Sequence, residues 1–331
     1  MVADTEGGGL KPLDFNHLQG QVPELNRLEL DVAYEAFEPP VDSSDMSTEH
    51  WRQIARRIEA NYDDFDGFVV LHGTDTMAYT ASALSFMLRG LSKPVILTGS
   101  QLPIGVLRTD GRENLITAIQ LAALEKRGAA YVQEVAVYFG SSLFRGNRTH
   151  KYSAEDFNAF HSPNLSPLAE AGIHLQFRND LLIRMDAKTR LAVHDRMEES
   201  VAVLTLFPGI GERVVRQICR TPGLRGLVLH TFGSGNGPTA GWFIDALREA
   251  REAGVEIVNV TQCSSGFVEQ GRYATSSAFT DLGIVPAGDM TLEAAVTKLM
   301  HVLAYAVDPQ EVARTMMLSL CGELTTYSSL V

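Results

Sequence analysis

One stretch, residues 66–77, constrains the fold of this chain more than any other, because it joins a strand pattern, a tight turn and a helix start. Residues 68–71 form a continuous apolar run, which predicts a strand covered on both faces of a parallel sheet. Gly73 permits a sharp turn, and the oxygen-bearing side chains of residues 74–76 can cap a helix over residues 77–89. Two interpretations of the turn stay open. The free backbone N–H groups at the start of the helix could hold a carboxylate or an oxyanion, or the side chains of residues 74–76 could serve as helix caps alone.

Strand and helix patterns alternate along most of the chain, which indicates an α/β fold with parallel sheets. Further strands are predicted at residues 32–37, 94–98, 134–139, 201–207, 226–231 and 255–261. Helices are predicted at residues 48–61, 110–125, 212–220, 241–253, 291–306 and 309–320, and Asp110 is expected to cap the second of these. The Gly-rich residues 1–13 predict a mobile loop. We predict an N-terminal domain over residues 1–183, a charged linker over 184–200 and a smaller parallel α/β domain over 201–331.

The composition indicates a small-molecule partner. The 331 residues are 45% hydrophobic and carry a formal charge of -12, which argues against broad binding to nucleic acid or anionic membranes, because both need basic patches. No apolar stretch is long enough to cross a bilayer. Cys219, Cys263 and Cys321 are odd in number and far apart, so a reducing compartment is expected rather than a disulfide framework.

Several common site signatures are absent from the sequence. There is no Walker motif, no His-Glu-x-x-His and no Cys-x-x-Cys, so nucleotide hydrolysis and these metal sites lack support. Residues 233–238 give only a partial dinucleotide fingerprint, since Pro238 takes the place of its third glycine. Ser100 is not in a Gly-x-Ser-x-Gly elbow. We interpret His72 as a packed, hydrogen-bonded residue and the basic run 144–151 as a solvated loop.

Motifs in five places together resemble the bacterial L-asparaginases, over a span from about residue 10 to the C-terminus. The most specific is the run His72-Gly73-Thr74-Asp75-Thr76-Met77, which resembles the second signature of that family. Four other runs are similar to its cytoplasmic, type I branch: Asp42-Ser43-Ser44-Asp45-Met46, Thr98-Gly99-Ser100-Gln101-Leu102-Pro103, Arg145-Gly146-Asn147-Arg148-Thr149 and Thr261-Gln262-Cys263.

The resemblance implies a fold, a reaction and an assembly. The fold is a larger N-terminal domain with a parallel sheet and a smaller C-terminal α/β domain. The reaction is hydrolysis of the side-chain amide of L-asparagine to L-aspartate and ammonia in the cytoplasm, without a metal or cofactor. The assembly is a homodimer or homotetramer with the site near a subunit interface.

The resemblance also assigns catalytic roles to three residues. Thr74 matches the second catalytic threonine of the family, Asp75 the acid beside it and Lys151 the lysine that completes the group. A threonine hydroxyl reacts poorly unless a neighbour takes its proton, so these three groups make chemical sense together. Desolvation would favour the neutral amine of Lys151, whereas an ionised Asp75 would favour its charged form. Asp75 is also placed to receive the α-ammonium of the substrate.

Further residues are expected to bind substrate or an effector. Asp42, Ser43 and Ser44 match the loop that holds the α-carboxylate and amine of the substrate, and backbone groups near Ser100 would lie close to the reacting amide. Cys263 matches a possible effector site of some cytoplasmic members. His150 and His230 stand where that site has a threonine and an arginine, so we expect no effector control and interpret Cys263 as a buried structural residue.

One part of the family pattern is not in the sequence. In the family, a first strand ends in Thr-Gly-Gly-Thr-Ile, and its second threonine is the acyl-accepting nucleophile, whereas this chain starts just after that point. We therefore expect the first strand to lie upstream of Met1 and expect little turnover from the chain as printed. Thr5 is not expected to substitute, because nothing nearby in the sequence fixes or activates it.

Two other functions fit parts of the same pattern. The first is a non-catalytic amino-acid-binding protein, which would use the same binding loop without hydrolysis. The second is the amidase subunit of a tRNA-dependent amidotransferase, which shares these motifs. The acidic charge and the lack of a tRNA-binding extension count against the second function.

Overall fold

The computed structural model describes residues 2–3, 10–11, 20, 22–186, 188–270 and 274–326. It divides the chain into two compact units, residues 1–195 and 196–331. The division falls inside the segment 184–200, whose role as a linker stays a prediction, as do the domain bounds. Part of that segment belongs to the first unit, because Ala192–Val193 pairs with Leu88–Arg89 in an antiparallel ladder.

The N-terminal unit contains a mixed sheet of six strands among the described residues. In chain order these are β1 Phe68–Leu71, β2 Val95–Thr98, β3 Val135–Phe139, β4 Ser142–Arg145, β5 Ala169–Ala171 and β6 Leu175–Phe177. The spatial order is β6-β5-β4-β3-β2-β1, with β1, β2 and β3 parallel and the others antiparallel. The helices are α1 Thr48–Ala60, α2 Met77–Met87 and α3 Gly111–Ala122. These elements confirm the predicted parallel strands and intervening helices around residues 68–139.

The prediction that β1 is covered on both faces is wrong. Residues 68–70 are half-buried and Leu71 is 48% exposed, whereas every residue of β2 is buried. The reason is position, because β1 is the edge strand of the described sheet and β2 lies between two parallel neighbours. The apolar run predicted the strand itself but could not predict its place in the sheet.

The basic run 144–151 is not the solvated loop that we expected. It forms the end of β4, a 3-10 helix at Gly146–Arg148 and a short strand at His150–Lys151. The Arg145 guanidinium is buried and donates from Nε to Glu134 Oε2 at 2.6 Å and from Nη2 to the Leu181 carbonyl at 2.6 Å. These acceptors compensate the desolvation of the charge, which is why a basic segment can lie inside an acidic protein.

The C-terminal unit has a parallel sheet of four strands within the described residues. The strands, in both chain and spatial order, are β7 Val201–Thr205, β8 Gly226–Thr231, β9 Glu256–Thr261 and β10 Val285–Pro286. The helices are α4 Glu212–Cys219, α5 Gly241–Glu252, α6 Ala274–Asp281, α7 Leu292–Tyr305 and α8 Pro309–Met317. The unit confirms the predicted smaller parallel α/β arrangement, to which the structure adds α6 and β10.

Apolar side chains cover both faces of this second sheet. One cluster joins Leu229 of β8 to Phe243 of α5 and Phe279 of α6. The other joins Val258 of β9 to Leu299 of α7, with further residues of α7 and α8 around them. Burial on both faces explains why β8 and β9 read as near-continuous apolar runs in the sequence.

A buried ion pair ties the chain after α8 to α7. Lys298 Nζ lies 2.6 Å from Glu323 Oε1, and both side chains are 0% exposed. The same ammonium donates to the carbonyls of Met316 at 2.9 Å and Leu318 at 2.6 Å. Glu323 in turn accepts the backbone N–H of Cys321 at 2.8 Å. The helix ends at Met317 rather than at the predicted residue 320, and the hydrogen bonds from Lys298 satisfy carbonyls at this helix end.

Two other predictions fare differently. The prediction of a strand at residues 32–37 is wrong, because those residues pair with no other strand in the structure. The loop predicted at residues 1–13 lies mostly outside the described residues, of which Val2–Ala3 pairs with Leu10–Lys11. No helix within the described ranges combines the length and apolar character required to span a membrane.

Candidate active site

The candidate site lies where β1 and β2 end and two loops meet. The strands pair in parallel through Leu71 and Thr98, and the His72 N–H donates to the Thr98 carbonyl at 2.9 Å. A Cβ atom at Gly99 would clash with the His72 carbonyl. The turns after the two strands therefore touch through their backbones, at the end of a parallel sheet where α/β proteins bind ligands.

The three predicted catalytic residues meet at this point. Lys151 Nζ lies 2.8 Å from Thr74 Oγ1 and 2.6 Å from Asp75 Oδ1. The Lys151 side chain is 16% exposed and that of Asp75 66% exposed, so the lysine is sheltered while the carboxylate faces solvent. Their catalytic roles stay a proposal, although their proximity is now a structural fact.

A short hairpin holds Lys151 in place. His150–Lys151 pairs with Phe160–His161, and Lys151 lies directly opposite Phe160. Phe160 is buried and packs edge to face on Phe139 of β3, with ring centroids 5.0 Å apart. Packing of this aromatic pair anchors the hairpin to the central sheet. The hairpin therefore holds the Lys151 ammonium in a fixed position next to Thr74.

The predicted substrate loop lies against the same turn. Ser43–Asp45 forms a 3-10 helix, and the Asp42 carboxylate accepts the Ser44 backbone N–H at 2.9 Å and the Ser44 hydroxyl at 2.6 Å. The side-chain bond from Ser44, followed by the backbone bond, lowers the pKa of Asp42 below its ordinary value. The buried Ser43 contributes its carbonyl, which accepts the Thr76 hydroxyl at 2.6 Å.

These contacts revise the two predicted helix caps. Thr76 occupies the N-cap position of α2, but its hydroxyl is used by the substrate loop and caps no helix N–H. Asp110 occupies the N-cap position of α3 without a side-chain cap bond. Its carboxylate instead accepts the backbone N–H of Gln101 at 2.9 Å and of Leu102 at 3.1 Å. Both residues therefore shape site loops instead of stabilising helix ends.

Gln101 is a site residue that the sequence reasoning missed. Thr74 Oγ1 donates to Gln101 Oε1 at 3.1 Å, and Gln101 Nε2 donates to the Asp156 carbonyl at 3.2 Å. Gln101 lies in one of the motifs that carry the family resemblance, and that motif was the available signal. The neighbouring Ser100 is half-buried, and its side chain lies against Gly111 at the start of α3.

His72 is packed and hydrogen-bonded, which confirms its prediction. Its Nδ1 lies 2.6 Å from the Gly73 carbonyl and its Nε2 lies 2.8 Å from Thr80 Oγ1, which also accepts the Trp51 indole N–H at 2.9 Å. Burial lowers the pKa of His72. The Gly73 carbonyl can only accept, so the neutral ring carries its proton on Nδ1 and fixes the peptide group next to Thr74.

Cys263 is exposed, so its interpretation as a buried structural residue is wrong. It lies two residues after Thr261, the last residue of β9, and its N–H donates to Thr261 Oγ1 at 3.0 Å. His230 Nε2 lies 3.2 Å from the Thr261 carbonyl, and burial lowers the pKa of His230. The expected lack of effector control stays a prediction. Within the part of the chain that the structure describes, no group of three or more His, Cys, Asp or Glu side chains could hold a metal ion.

Comparisons with known proteins cover nearly the whole chain. The family model of the asparaginase N-terminal domain matches residues 1–182, and that of the glutaminase/asparaginase C-terminal domain matches residues 200–316. The chain is 46% identical over 313 residues to L-asparaginase 1 of Escherichia coli (strain K12), covering 93% of this chain and 90% of that protein. Lower similarity, 35% over 297 residues, links it to one subunit of the glutamyl-tRNA(Gln) amidotransferase of Pyrococcus horikoshii, with 86% of this chain and 65% of that protein covered.

A solved structure gives the same result for the fold. L-asparaginase I from Vibrio cholerae aligns with a TM-score of 0.87 at 40% identity, covering 98% of this chain and 96% of that one. The two α/β units and the two matching models define an amidohydrolase. The chain belongs to the asparaginase family, as the motifs in its sequence indicated.

Proposed function

We propose that this chain is an L-asparaginase that hydrolyses the side-chain amide of L-asparagine to L-aspartate and ammonia. The observation that carries this proposal is the position of the Lys151 ammonium, 2.8 Å from Thr74 Oγ1 and 2.6 Å from Asp75 Oδ1, where β1 gives way to α2. The identity to an L-asparaginase over most of both chains supports the choice of substrate.

Each residue of this group has a distinct task in the proposed reaction. Thr74 and Lys151 form the proton-transfer pair, because the Lys151 ammonium donates to Thr74 Oγ1 and can return a proton to that oxygen when the hydroxyl proton moves to the reacting amide. Asp75 binds Lys151 through Oδ1, and its exposed carboxylate also receives the α-ammonium of asparagine in a charge-assisted contact. The loop around Ser43 supplies hydroxyl and backbone donors to the α-carboxylate.

Product analysis tests this proposal. Ammonia and L-aspartate should appear in equal amounts from L-asparagine, and coupled enzymes measure both products. The rate of ammonia release from L-glutamine in the same assay shows which of the two amides the protein prefers. The assay is run on the printed chain and on an extended chain, in which a strand ending in Thr-Gly-Gly-Thr is added before Met1. Replacing Thr74 with Val should lower the rate by at least about 100-fold, because the proton-transfer group is lost. An undiminished rate in the Thr74 variant would refute the site assignment.

Calorimetry separates the alternative functions. Heat of binding for asparagine or aspartate, with no ammonia released by either form of the chain, would favour a non-catalytic amino-acid-binding protein. Ammonia release that requires a co-purified second subunit would favour an amidotransferase subunit instead. We further propose a cytoplasmic homodimer or homotetramer, which sedimentation analysis of the purified protein would detect as a species of two or four chains.

Gly73 provides a test of the substrate loop. A Cβ atom at this position would clash with the Ser43 side chain. Gly73→Ala should therefore displace the loop and weaken L-aspartate binding by about 10-fold, since overpacking of this kind costs about 1–3 kcal/mol. Titration calorimetry measures the Kd. Gly211→Ala is the matched control, because a Cβ there meets nothing within 4 Å, and equal affinities in both variants would contradict the proposed loop role.

A further inference from the structure

We propose that Gln101 is a positioning residue that fixes the direction of the Thr74 hydroxyl. The inference rests on the proposed function, because it assigns Gln101 a part in the same amide hydrolysis. Gln101 lies between two fixed partners, accepting from Thr74 Oγ1 at 3.1 Å and donating to the Asp156 carbonyl at 3.2 Å.

The orientation of the Gln101 amide follows from its partners. A backbone carbonyl can only accept, so the Gln101 nitrogen must face Asp156. The Gln101 oxygen then faces Thr74, and because this oxygen can only accept, Thr74 must donate its hydroxyl proton to it. An amide flipped by 180° would place two acceptors against each other at Asp156.

The other side of the Thr74 hydroxyl is fixed by Lys151. An ammonium can only donate, and Lys151 Nζ lies 2.8 Å from Thr74 Oγ1, so the lone pairs of Thr74 face the lysine. The hydroxyl therefore has one proton direction, from Thr74 towards Gln101, and one accepting direction, from Lys151. Without Gln101, the Thr74 side chain keeps the contact with Lys151 but loses the one with Gln101, so both its χ1 rotamer and the direction of its hydroxyl proton are less fixed.

The backbone that carries Gln101 is itself held on several sides. The Asp110 carboxylate binds the Gln101 N–H at 2.9 Å and receives Asn114 Nδ2 at 3.2 Å. Asn114 Nδ2 also donates to the Gly99 carbonyl at 2.9 Å. Thr109 Oγ1 donates to the Leu102 carbonyl at 2.9 Å. A glutamine on a mobile loop could not orient Thr74. These hydrogen bonds hold the backbone around Gln101 in place, so its side chain can do so.

Loss of this orientation should slow turnover more than it weakens binding. Gln101 contacts Thr74 and none of the groups at Asp42 or Asp75 to which substrate binding is assigned. Misplacement of a reacting group by about 1 Å costs up to roughly 100-fold in rate. We therefore expect a 10- to 100-fold loss in kcat with KM changed by less than about 2-fold when the Gln101 acceptor is removed.

Two substitutions at Gln101 and one control test the inference. Gln101→Met keeps the length of the side chain without an acceptor and should show the full loss in kcat. Gln101→Glu keeps an acceptor for the Thr74 hydroxyl but loses the donor to the Asp156 carbonyl, so its kcat should be at least about 3-fold higher than that of Gln101→Met but below the wild-type value. Thr109→Val removes a loop contact without touching Thr74 and controls for general loosening. Wild-type kcat in Gln101→Met, or equal losses in the Met, Glu and Thr109 variants, would overturn the inference.

A readout that needs no turnover separates this inference from the proposed function. The order parameter of the Thr74 methyl group, measured by NMR on threonine-labelled protein, reports whether its side chain holds one rotamer. It should be high in the wild type and in Gln101→Glu and low in Gln101→Met. If no form of the protein releases ammonia, the proposed function fails, but these order parameters still decide whether Gln101 orients Thr74. Unchanged order in Gln101→Met would refute the positioning role.

Discussion

Lys151→Met should lower the kcat for L-asparagine hydrolysis by about a thousandfold and leave the protein folded. The ammonium contacts both Thr74 and Asp75, so its removal takes away the partner of the threonine hydroxyl and leaves the two other groups without their shared contact. General acid–base groups contribute about 10²- to 10⁴-fold to enzymatic rates. Lys151→Arg should not restore the rate, because a planar guanidinium cannot occupy the position of a compact ammonium or readily exchange a proton.

Steady-state ammonia release from the extended chain, with and without Lys151→Met, measures this effect, and near-UV circular dichroism checks the fold. Lys126→Met is the matched control, because Lys126 is an exposed lysine whose ammonium lies over the Tyr131 ring and away from the candidate site. It should keep the wild-type kcat. A Lys151→Met protein with more than a tenth of the wild-type kcat would show that a residue other than Lys151 exchanges protons with Thr74.

The second large effect is expected in stability, at the buried pair of Lys298 and Glu323. Glu323→Leu leaves a buried ammonium with backbone carbonyls as its acceptors, and breaking a buried pair in this way costs about 3–5 kcal/mol. The double variant Lys298→Met/Glu323→Leu removes both charges and should regain most of that loss. Urea unfolding measures the free energies of unfolding.

An exposed pair provides the comparison for this prediction. Asp245 lies 2.5 Å from Arg248 on the surface of α5, with both side chains about half exposed. Asp245→Ala should change stability very little, because water screens such a pair. If Glu323→Leu were no more destabilising than Asp245→Ala, the buried pair would contribute nothing that a surface pair does not.

The same pair predicts how stability depends on pH. Burial alone raises the pKa of Glu323, but the charge and hydrogen bond of Lys298, with two backbone N–H donors, outweigh it and hold the pKa below the ordinary 4.5. A depressed pKa means that the contribution to stability is present above pH 4.5 and is lost as the pH falls through the lower, folded-state value. Urea titrations between pH 6 and pH 3 should show a smaller loss in the double variant than in the wild type.

The sequence predicted those parts of the molecule in which local pattern and final environment agree. The strand at residues 226–231 has the predicted bounds, because an apolar run covered on both faces depends little on its neighbours. Thr74 and Asp75 were found through a turn that is encoded within a few residues. Lys151 is different, since it meets Asp75 across 76 residues, and only the family resemblance connected the two in advance.

The sequence could not predict features that depend on distant partners. The basic segment around Arg145 was expected to be solvated, because nothing nearby in the sequence shows that Glu134 and the Leu181 carbonyl would enclose its charge. Asp110 had the position of a helix cap, yet its carboxylate binds the loop at Gln101. In each case a local rule was correct about the residue type, and the tertiary contact decided its use.

Two glycines in the turns after β1 and β2, Gly73 and Gly99, limit how the amide substrate preference of the protein could be changed. Neither Gly73 nor Gly99 leaves room for a methyl group, because a Cβ atom would clash with the Ser43 side chain at the first position and with the His72 carbonyl at the second, so a substitution at either one displaces its neighbours. Natural divergence or laboratory selection for a new amide would have to act on exposed side chains around the turn, such as Tyr152 on the hairpin of Lys151. Libraries that hold both glycines constant should therefore yield more folded, active variants than libraries that randomise the turn.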